Sequence, residues 1–166
     1  MIHIYYGNGK GKSTAATGLA VRAKGNGSNV IFAQFIKSVP NGEVVSLDKL
    51  GVSVIRGKLP NQDPSEYTSE QKELVIREHD RIFDRASSFN QKNTVIVFDE
   101  LLDAYNESLI DREKVMEFLS AIPLGIEVIL TGRDAPEEIL DIADYVSEVI
   151  GHKIPESIEE GAVRLH

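Results

Sequence analysis

Three glycines, two lysines and a serine lie close to the N-terminus, in the order Gly-Asn-Gly-Lys-Gly-Lys-Ser over positions 7–13. Glycine adopts positive φ without steric cost, so successive backbone N–H groups can point at one anion. Lys12 adds positive charge for phosphate oxygens, and the hydroxyl of Ser13 is a candidate ligand for Mg²⁺. The stretch therefore predicts a phosphate-binding loop for a nucleoside triphosphate with Mg²⁺.

The usual phosphate-loop pattern, G-x-x-x-x-G-K-[ST], matches this chain only from Gly11 onward, because its first glycine falls on Tyr6. The flanking segments still fit, since a strand is predicted over 2–6 and a helix over 13–24. A glycine-rich turn with solvated lysines is the alternative, and the spacing between strand and helix disfavours it. Lys10 either contacts phosphate or lies on the surface.

Two acids follow a strongly apolar segment, Val-Ile-Val-Phe at 95–98 and then Asp99 and Glu100. The carboxyl end of a parallel strand faces the same sheet edge as the phosphate loop. Mg²⁺ prefers hard oxygen ligands and takes one or two carboxylates together with water. We predict a Walker B arrangement in which one of the two acids binds the metal directly and the other through water. The alternative is an acid that caps the next segment.

Two arginines are further candidates for contacts to the nucleotide. Thr131-Gly132-Arg133 ends another predicted strand at the same edge, so Arg133 is either a contact to phosphate or nucleotide or an ordinary surface arginine. Arg22 lies in the first predicted helix, where a solvated position is the stronger interpretation.

The elements that must position these residues alternate along the chain, which has 166 residues, 42% of them hydrophobic and 27% charged. This composition is typical of one globular domain, predicted over 1–166. The alternation predicts a three-layer α/β fold of the P-loop (RecA-like) type, with a mainly parallel central sheet of about six strands. Strands are predicted over 2–6, 29–36, 52–55, 94–98, 126–131 and 145–150, and helices over 13–24, 43–50, 69–88, 111–121 and 136–143.

Composition also excludes several classes of function. The chain has no cysteine, so disulfides, thiolate metal sites and cysteine nucleophiles are excluded. Its net charge of −8 and the lack of a long basic run argue against a nucleic-acid partner. No window reaches the ~18 apolar residues of a membrane span, and the N-terminus lacks a basic n-region. We therefore predict a cytoplasmic protein without a membrane partner.

The order of the motifs resembles the CobA/CobO/BtuR type of ATP:corrinoid adenosyltransferase. The family's shortened loop lacks the usual first glycine, which accounts for Tyr6. The resembling pieces occur in family order across about residues 2–150 and form a specific combination. They are the loop and helix start at 7–16, Arg22-Ala23 with Gly25, Gln34-Phe35-Ile36-Lys37, Asn41-Gly42-Glu43, Phe98-Asp99-Glu100, Thr131-Gly132-Arg133 with Ala135-Pro136, and Ala143-Asp144 with Ser147-Glu148.

The resemblance implies that the chain transfers the 5′-deoxyadenosyl group of ATP to the Co(I) of a reduced corrinoid and releases triphosphate, in adenosylcobalamin biosynthesis or salvage. It implies that Asn8, Gly9, Lys10, Gly11, Lys12, Ser13 and Thr14 bind ATP together with Gly7, and that Ser13 and Glu100 bind Mg²⁺. Because Co(I) is the nucleophile, the protein supplies positioning and stabilises the leaving group, for which Lys12 is suited. A homodimer and a flavoprotein reductant are also implied.

The acceptor side departs from the family pattern. The family has an aromatic pair after its third strand, whereas this chain reads Arg-Gly-Lys-Leu-Pro-Asn-Gln at 56–62, contains no tryptophan, and has Tyr67 as the nearby aromatic. Gly161-Ala162 resembles the family's last motif only loosely. Two other functions stay open: another P-loop ATPase or phosphotransferase, and a nucleotide-binding regulatory module. An ATPase would require a residue that orients water, and the sequence identifies none.

Overall fold

The computed structural model describes residues 1–153, so Gly161-Ala162 lies outside the described part of the chain. Its sheet has six strands, all parallel, in the order β3-β2-β4-β5-β1-β6. This confirms the predicted α/β fold and its six-stranded sheet. The strands are β1 (Ile2–Tyr6), β2 (Asn29–Gln34), β3 (Ser53–Arg56), β4 (Thr94–Asp99), β5 (Ile126–Gly132) and β6 (Tyr145–Glu148).

Helices cover both faces of the sheet and give the fold its three layers. Successive residues of β4 point to opposite faces, so Val97 packs with Ala16 and Leu47 on one side while Phe98 packs with Phe83 on the other. Among residues 1–153, no helix is long and apolar enough to cross a membrane. The helices are α1 (Lys12–Gly25), α2 (Gly42–Lys49), α3 (Ser69–Ser87), α4 (Leu101–Asn106), α5 (Arg112–Ser120) and α6 (Glu137–Leu140).

The parallel register brings the ends of distant strands to one edge. Tyr6 at the end of β1 pairs with Gly132 of β5, and Gln34 at the end of β2 pairs with Asp99 of β4. The loops that follow these strands therefore leave the sheet side by side. This edge is where α/β folds bind their ligands.

Several elements differ from the sequence expectations, among them β6, which ends at Glu148 rather than at residue 150. β2 ends at Gln34 rather than at residue 36, because Ile36 takes a left-handed backbone conformation with φ of 61°. α4 was not predicted, since a helix of six residues is too short to display a 3.6-residue period. α6 covers four residues rather than the predicted 136–143, and it begins after Pro136, whose backbone is extended. A short 3₁₀ helix, Pro64–Glu66, interrupts the predicted loop over 57–68.

His79 is a fully buried polar residue of α3. Its Nε2 accepts a hydrogen bond from the Ile36 N–H at 3.1 Å, and its Nδ1 lies 2.8 Å from the Leu109 carbonyl oxygen. A carbonyl can only accept, so Nδ1 carries the proton and the ring is neutral. Burial lowers the pKa of His79 to about 4, against an opposing effect of its bond to Leu109.

We expect this imidazole to make stability depend on pH. The pKa of His79 is about 4 in the folded state against an ordinary value of 6.5. The unfolded state therefore binds more protons between these two pH values. The contribution of the neutral imidazole to the free energy of unfolding is complete above pH 6.5 and is lost as the pH falls towards 4. It amounts to roughly 3 kcal/mol. Urea unfolding at several pH values measures it, and His79→Gln is the control. An equal pH slope for both proteins would contradict the expectation.

Candidate functional site

The glycine-rich loop joins the end of β1 to the start of α1. Gly7 and Gly11 have φ of 118° and 113°, a backbone conformation that residues with a Cβ rarely adopt. In the described residues, no side chain caps the N-terminus of α1, and its first turn contains no acid. The first N–H groups of this helix, with their positive dipole end, are therefore suited to an anion. Tyr6 is part of β1, where no positive φ is required.

Residues 149–151, just after β6, hold the first half of the loop. The Gly9 N–H donates to the Val149 carbonyl oxygen at 2.8 Å, and the Gly151 N–H donates to Asn8 Oδ1 at 2.9 Å. The Gly7 N–H donates to the Arg133 carbonyl oxygen at 3.0 Å. The first half of the loop is thereby fixed by distant backbone, and the second half, 10–13, faces the ligand side.

Gly9 has no room for a side chain. A Cβ there would lie 2.8 Å from both the Ile150 carbonyl carbon and the Val149 oxygen, which are backbone atoms that cannot rotate away. We expect Gly9→Ala to lower the free energy of unfolding by about 1–3 kcal/mol and to weaken ATP binding. Thermal unfolding and calorimetric titration with ATP measure the two effects.

Gly18→Ala is the matched control for this prediction. Gly18 lies within α1, and a Cβ there would meet nothing within 4 Å. Alanine should raise stability at this position by about 0.5–1 kcal/mol, since it favours the helix. A Gly9→Ala protein as stable as the wild type would show that residues 149–151 do not pack on the loop as described.

A cleft of about 210 Å³ opens over the second half of the loop. The Lys12 Nζ donates to the Gly9 carbonyl oxygen at 2.7 Å, so this side chain folds over its own loop. Burial lowers the pKa of Lys12, while the charges of Asp103 and Glu100 oppose that shift. The predicted residues that line this cleft are Lys10, Gly11, Lys12, Ser13, Thr14 and Glu100, and Lys37, Asn41 and Glu43 complete its wall.

Asp99, the last residue of β4, is fully buried and is surrounded by hydrogen-bond donors. Its Oδ1 accepts from Thr131 Oγ1 at 2.9 Å, and its Oδ2 accepts from Gln34 Nε2 and Lys37 Nζ, each at 3.0 Å. Burial alone would raise the pKa of Asp99. The charge of Lys37 and hydrogen bonds from Gln34 and Ser13 outweigh burial and hold this pKa below its usual value. Asp99 is therefore ionised.

Glu100 has a different environment although it is the next residue. Its φ of 62° turns the chain into α4, and its N–H donates to Thr131 Oγ1 at 2.8 Å. Its carboxylate lies 3.3 Å from Lys37 Nζ. Burial raises the pKa of Glu100 to about 7, the charge of Asp99 adds to that shift, and Lys37 opposes it. Near neutral pH, the site thus combines an ionised Asp99 with a Glu100 that is partly protonated.

Lys37 lies between the two acids, and sequence reasoning assigned it no role. Burial would lower its pKa, but Asp99 and Glu100 raise it further than burial lowers it, so Lys37 stays charged. Arg56 supports this arrangement, since its Nε donates to Gln34 Oε1 at 2.8 Å and its Nη2 to the Lys37 carbonyl oxygen at 3.1 Å. Gln34 is the last residue of the apolar strand β2 and Lys37 follows three residues later, and this position at a strand end is the signal that could have identified them.

Arg133 is exposed and lines a second cleft, while its carbonyl oxygen contacts the Gly7 N–H of the glycine-rich loop. Its N–H donates to Asp103 Oδ1 at 3.0 Å. The second cleft has about 370 Å³, and Glu100 lines both clefts. Besides Arg133 and Glu100, its lining is Ile36, Asp63, Pro64, Ser65, Asp103, Asn106, Glu107 and Asp134. Arg22 is exposed and lines a separate cleft beside the start of β4, in agreement with a solvated position.

The site offers few metal ligands and no aromatic platform among the described residues. Within residues 1–153, no group of three or more histidine, aspartate or glutamate side chains is arranged to hold a metal ion. The side chains with oxygen atoms that line the cleft over the loop include Ser13, Thr14, Asn41, Glu43 and Glu100. Tyr67 is buried in the core, and the described lining of the second cleft contains no aromatic residue.

Comparisons with known proteins agree with the motif order. A family model described as ATP:corrinoid adenosyltransferase BtuR/CobO/CobP matches residues 1–162. Corrinoid adenosyltransferase CobA of Salmonella typhimurium is 35% identical over 152 residues, which cover 90% of this chain and 76% of that protein. The corrinoid adenosyltransferase of Escherichia coli is 35% identical over 154 residues, with the same coverage. That of Pseudomonas aeruginosa is 28% identical over 147 residues, covering 88% and 72%.

Proposed function

Because the chain belongs to the ATP:corrinoid adenosyltransferase family BtuR/CobO/CobP, we propose that it transfers the 5′-deoxyadenosyl group of ATP to the Co(I) of a reduced corrinoid in adenosylcobalamin synthesis. The observation that supports this most directly is the pair of adjoining clefts, one over the phosphate loop and one beside it, with Glu100 in the wall of each. Two substrates that must meet at one carbon atom require two such sites.

The reaction forms a bond from cobalt to C5′ of the ribose and breaks the bond from C5′ to the triphosphate oxygen. A pair of electrons from Co(I) forms the cobalt–carbon bond, and the pair of the broken C5′–O bond leaves with triphosphate, so no side chain needs to act as a nucleophile. The residues instead hold the two substrates in line and stabilise the leaving group. Lys12 and the N-terminus of α1 would neutralise the charge that triphosphate gains.

Mg²⁺ belongs to this proposal through the chemistry of the oxygen donors. Ser13 and Glu100 would hold the ion, with Asp99 as the second acid behind them, and phosphate and water would complete its coordination. When bound, Mg²⁺ would neutralise phosphate charge and so favour release of triphosphate. The pKa of Glu100 is raised to about 7, so this residue must release its proton to serve as a ligand.

A homodimer, a flavoprotein that supplies the electron to cobalt, and a cytoplasmic location are further parts of the proposal. Their support is the family resemblance, together with the acidic, cysteine-free composition. Sedimentation velocity on the purified chain tests the dimer directly, with a monomer of 18.3 kDa as the contradicting result.

The test of the proposed function is incubation with ATP, Mg²⁺ and chemically reduced cobalamin. Formation of a light-sensitive cobalt–carbon product, with release of intact triphosphate, is the expected result. ADP formed without any corrinoid would instead support an ATPase or phosphotransferase. Binding of ATP with no turnover of any kind would support a nucleotide-binding regulatory module.

A further inference from the structure

The turn that carries Lys37 has an unfavourable backbone. Ile36 has φ of 61°, a conformation that is costly for a β-branched residue and persists only when its surroundings enforce it. The residue before it is tied to β4, since the Phe35 N–H donates to the Asp99 carbonyl oxygen at 3.0 Å. Reversal of the chain at Ile36 brings the Lys37 ammonium to 3.0 Å from Asp99 and 3.3 Å from Glu100.

His79 is the side chain that accepts the Ile36 N–H, at 3.1 Å. The ring is fully buried, and its edge contacts the Phe35 ring with centroids 5.3 Å apart. Its other nitrogen lies 2.8 Å from the Leu109 carbonyl oxygen, beyond the end of α4. The imidazole therefore bonds both to the turn that carries Lys37 and to the chain beyond α4, which is the helix that begins directly after Glu100.

We propose that His79 is a positioning residue, which holds Ile36 in its left-handed turn and thereby holds Lys37 between Asp99 and Glu100. This role rests on the proposed function only for its effect on turnover, because the turn also shapes the ATP cleft that Lys37 lines. The competing explanation is a core histidine that only fills space. In the first explanation ATP binding depends on the hydrogen bond to Ile36, and in the second it depends only on the volume of the ring.

Two substitutions separate the two hydrogen bonds of the ring. In His79→Gln, the side-chain oxygen reaches the former Nε2 position and can accept from the Ile36 N–H. In His79→Asn, the shorter amide reaches the former Nδ1 position and can donate to Leu109 but not accept from Ile36. Both are smaller than the ring and leave one buried partner unsatisfied, so both should lose stability by similar amounts.

We expect His79→Asn to weaken binding of ATP with Mg²⁺ about tenfold and to lower turnover by a similar factor. His79→Gln should stay within about threefold of the wild type. Calorimetric titration with ATP and Mg²⁺ measures the change in affinity. It is carried out at a temperature where circular dichroism shows that both variants are folded. Equal ATP affinities for the two variants would overturn the proposal. A wild-type protein that binds ATP but shows no adenosyl transfer would contradict the proposed function and leave the proposed role of His79 in ATP binding unaffected.

A glycine at position 36 provides the second test, because glycine adopts positive φ without help. In the Ile36→Gly background, His79→Asn should change ATP affinity less than twofold. If His79→Asn alone does not fold, a folded double variant that binds ATP supports the proposal. A double variant that also fails to fold, or one that still loses tenfold in affinity, overturns it.

Discussion

Replacement of Lys12 by alanine is expected to lower kcat/KM for ATP by about 10²–10³-fold, the effect of removing one preorganised donor from a developing negative charge. Lys12 bends over the loop, with its Nζ 2.7 Å from the Gly9 carbonyl oxygen. Lys12 is half-buried, and this burial lowers its pKa, so water screens its charge less than it screens that of an exposed lysine. A partly desolvated charge interacts more strongly with phosphate than a solvated one. Steady-state adenosyl transfer and calorimetric ATP binding measure the loss.

Lys10→Ala is the matched control, because Lys10 lines the same cleft but is exposed. We expect it to change ATP affinity by no more than about threefold, since exposed charges are well screened. Equal losses for the two lysines would contradict the special position of Lys12. They would indicate instead that the loop attracts ATP by its total charge.

Replacement of Asp99 by alanine is the second change with a large expected effect. It would leave the Lys37 ammonium with a weaker partner and the Gln34 amide and Thr131 hydroxyl without an acceptor. Removing one member of a buried charged network is strongly destabilising, and we expect a loss of about 3 kcal/mol in the free energy of unfolding. Urea unfolding measures this loss, and ATP turnover should fall below detection.

Asp99→Asn separates charge from shape in this network. The amide retains the size of the carboxylate but not its charge, so its cost should depend on the presence of Lys37. In the Lys37→Met background, we expect Asp99→Asn to cost at least about 1 kcal/mol less than in the native chain. Additive effects of the two substitutions would show that the contact of 3.0 Å between them contributes no stability.

The sequence by itself determined the fold class and the conformational freedom of the glycine-rich loop. Glycine spacing predicted the phosphate loop because backbone freedom at Gly7 and Gly11 is a property of the residue type. Alternation of apolar runs with helical segments predicted the parallel sheet, because hydrophobic periodicity is local. The two acids after the apolar run at 95–98 were placed at the correct edge for the same reason. The family was identified from motif order, and the family model confirms it.

The tertiary structure alone decided which distant residues meet. Lys37 comes to the two acids because β2 and β4 pair in a register that aligns Gln34 with Asp99, and crossover connections hide such registers from the sequence. Gly9 requires glycine because of backbone 140 residues further along the chain, at Val149–Gly151. In the sequence, His79 is one polar residue on an amphipathic helix. Only the folded chain buries it and places its ring against the Ile36 N–H. Contacts of this kind depend on chain geometry, which residue types at single positions do not encode.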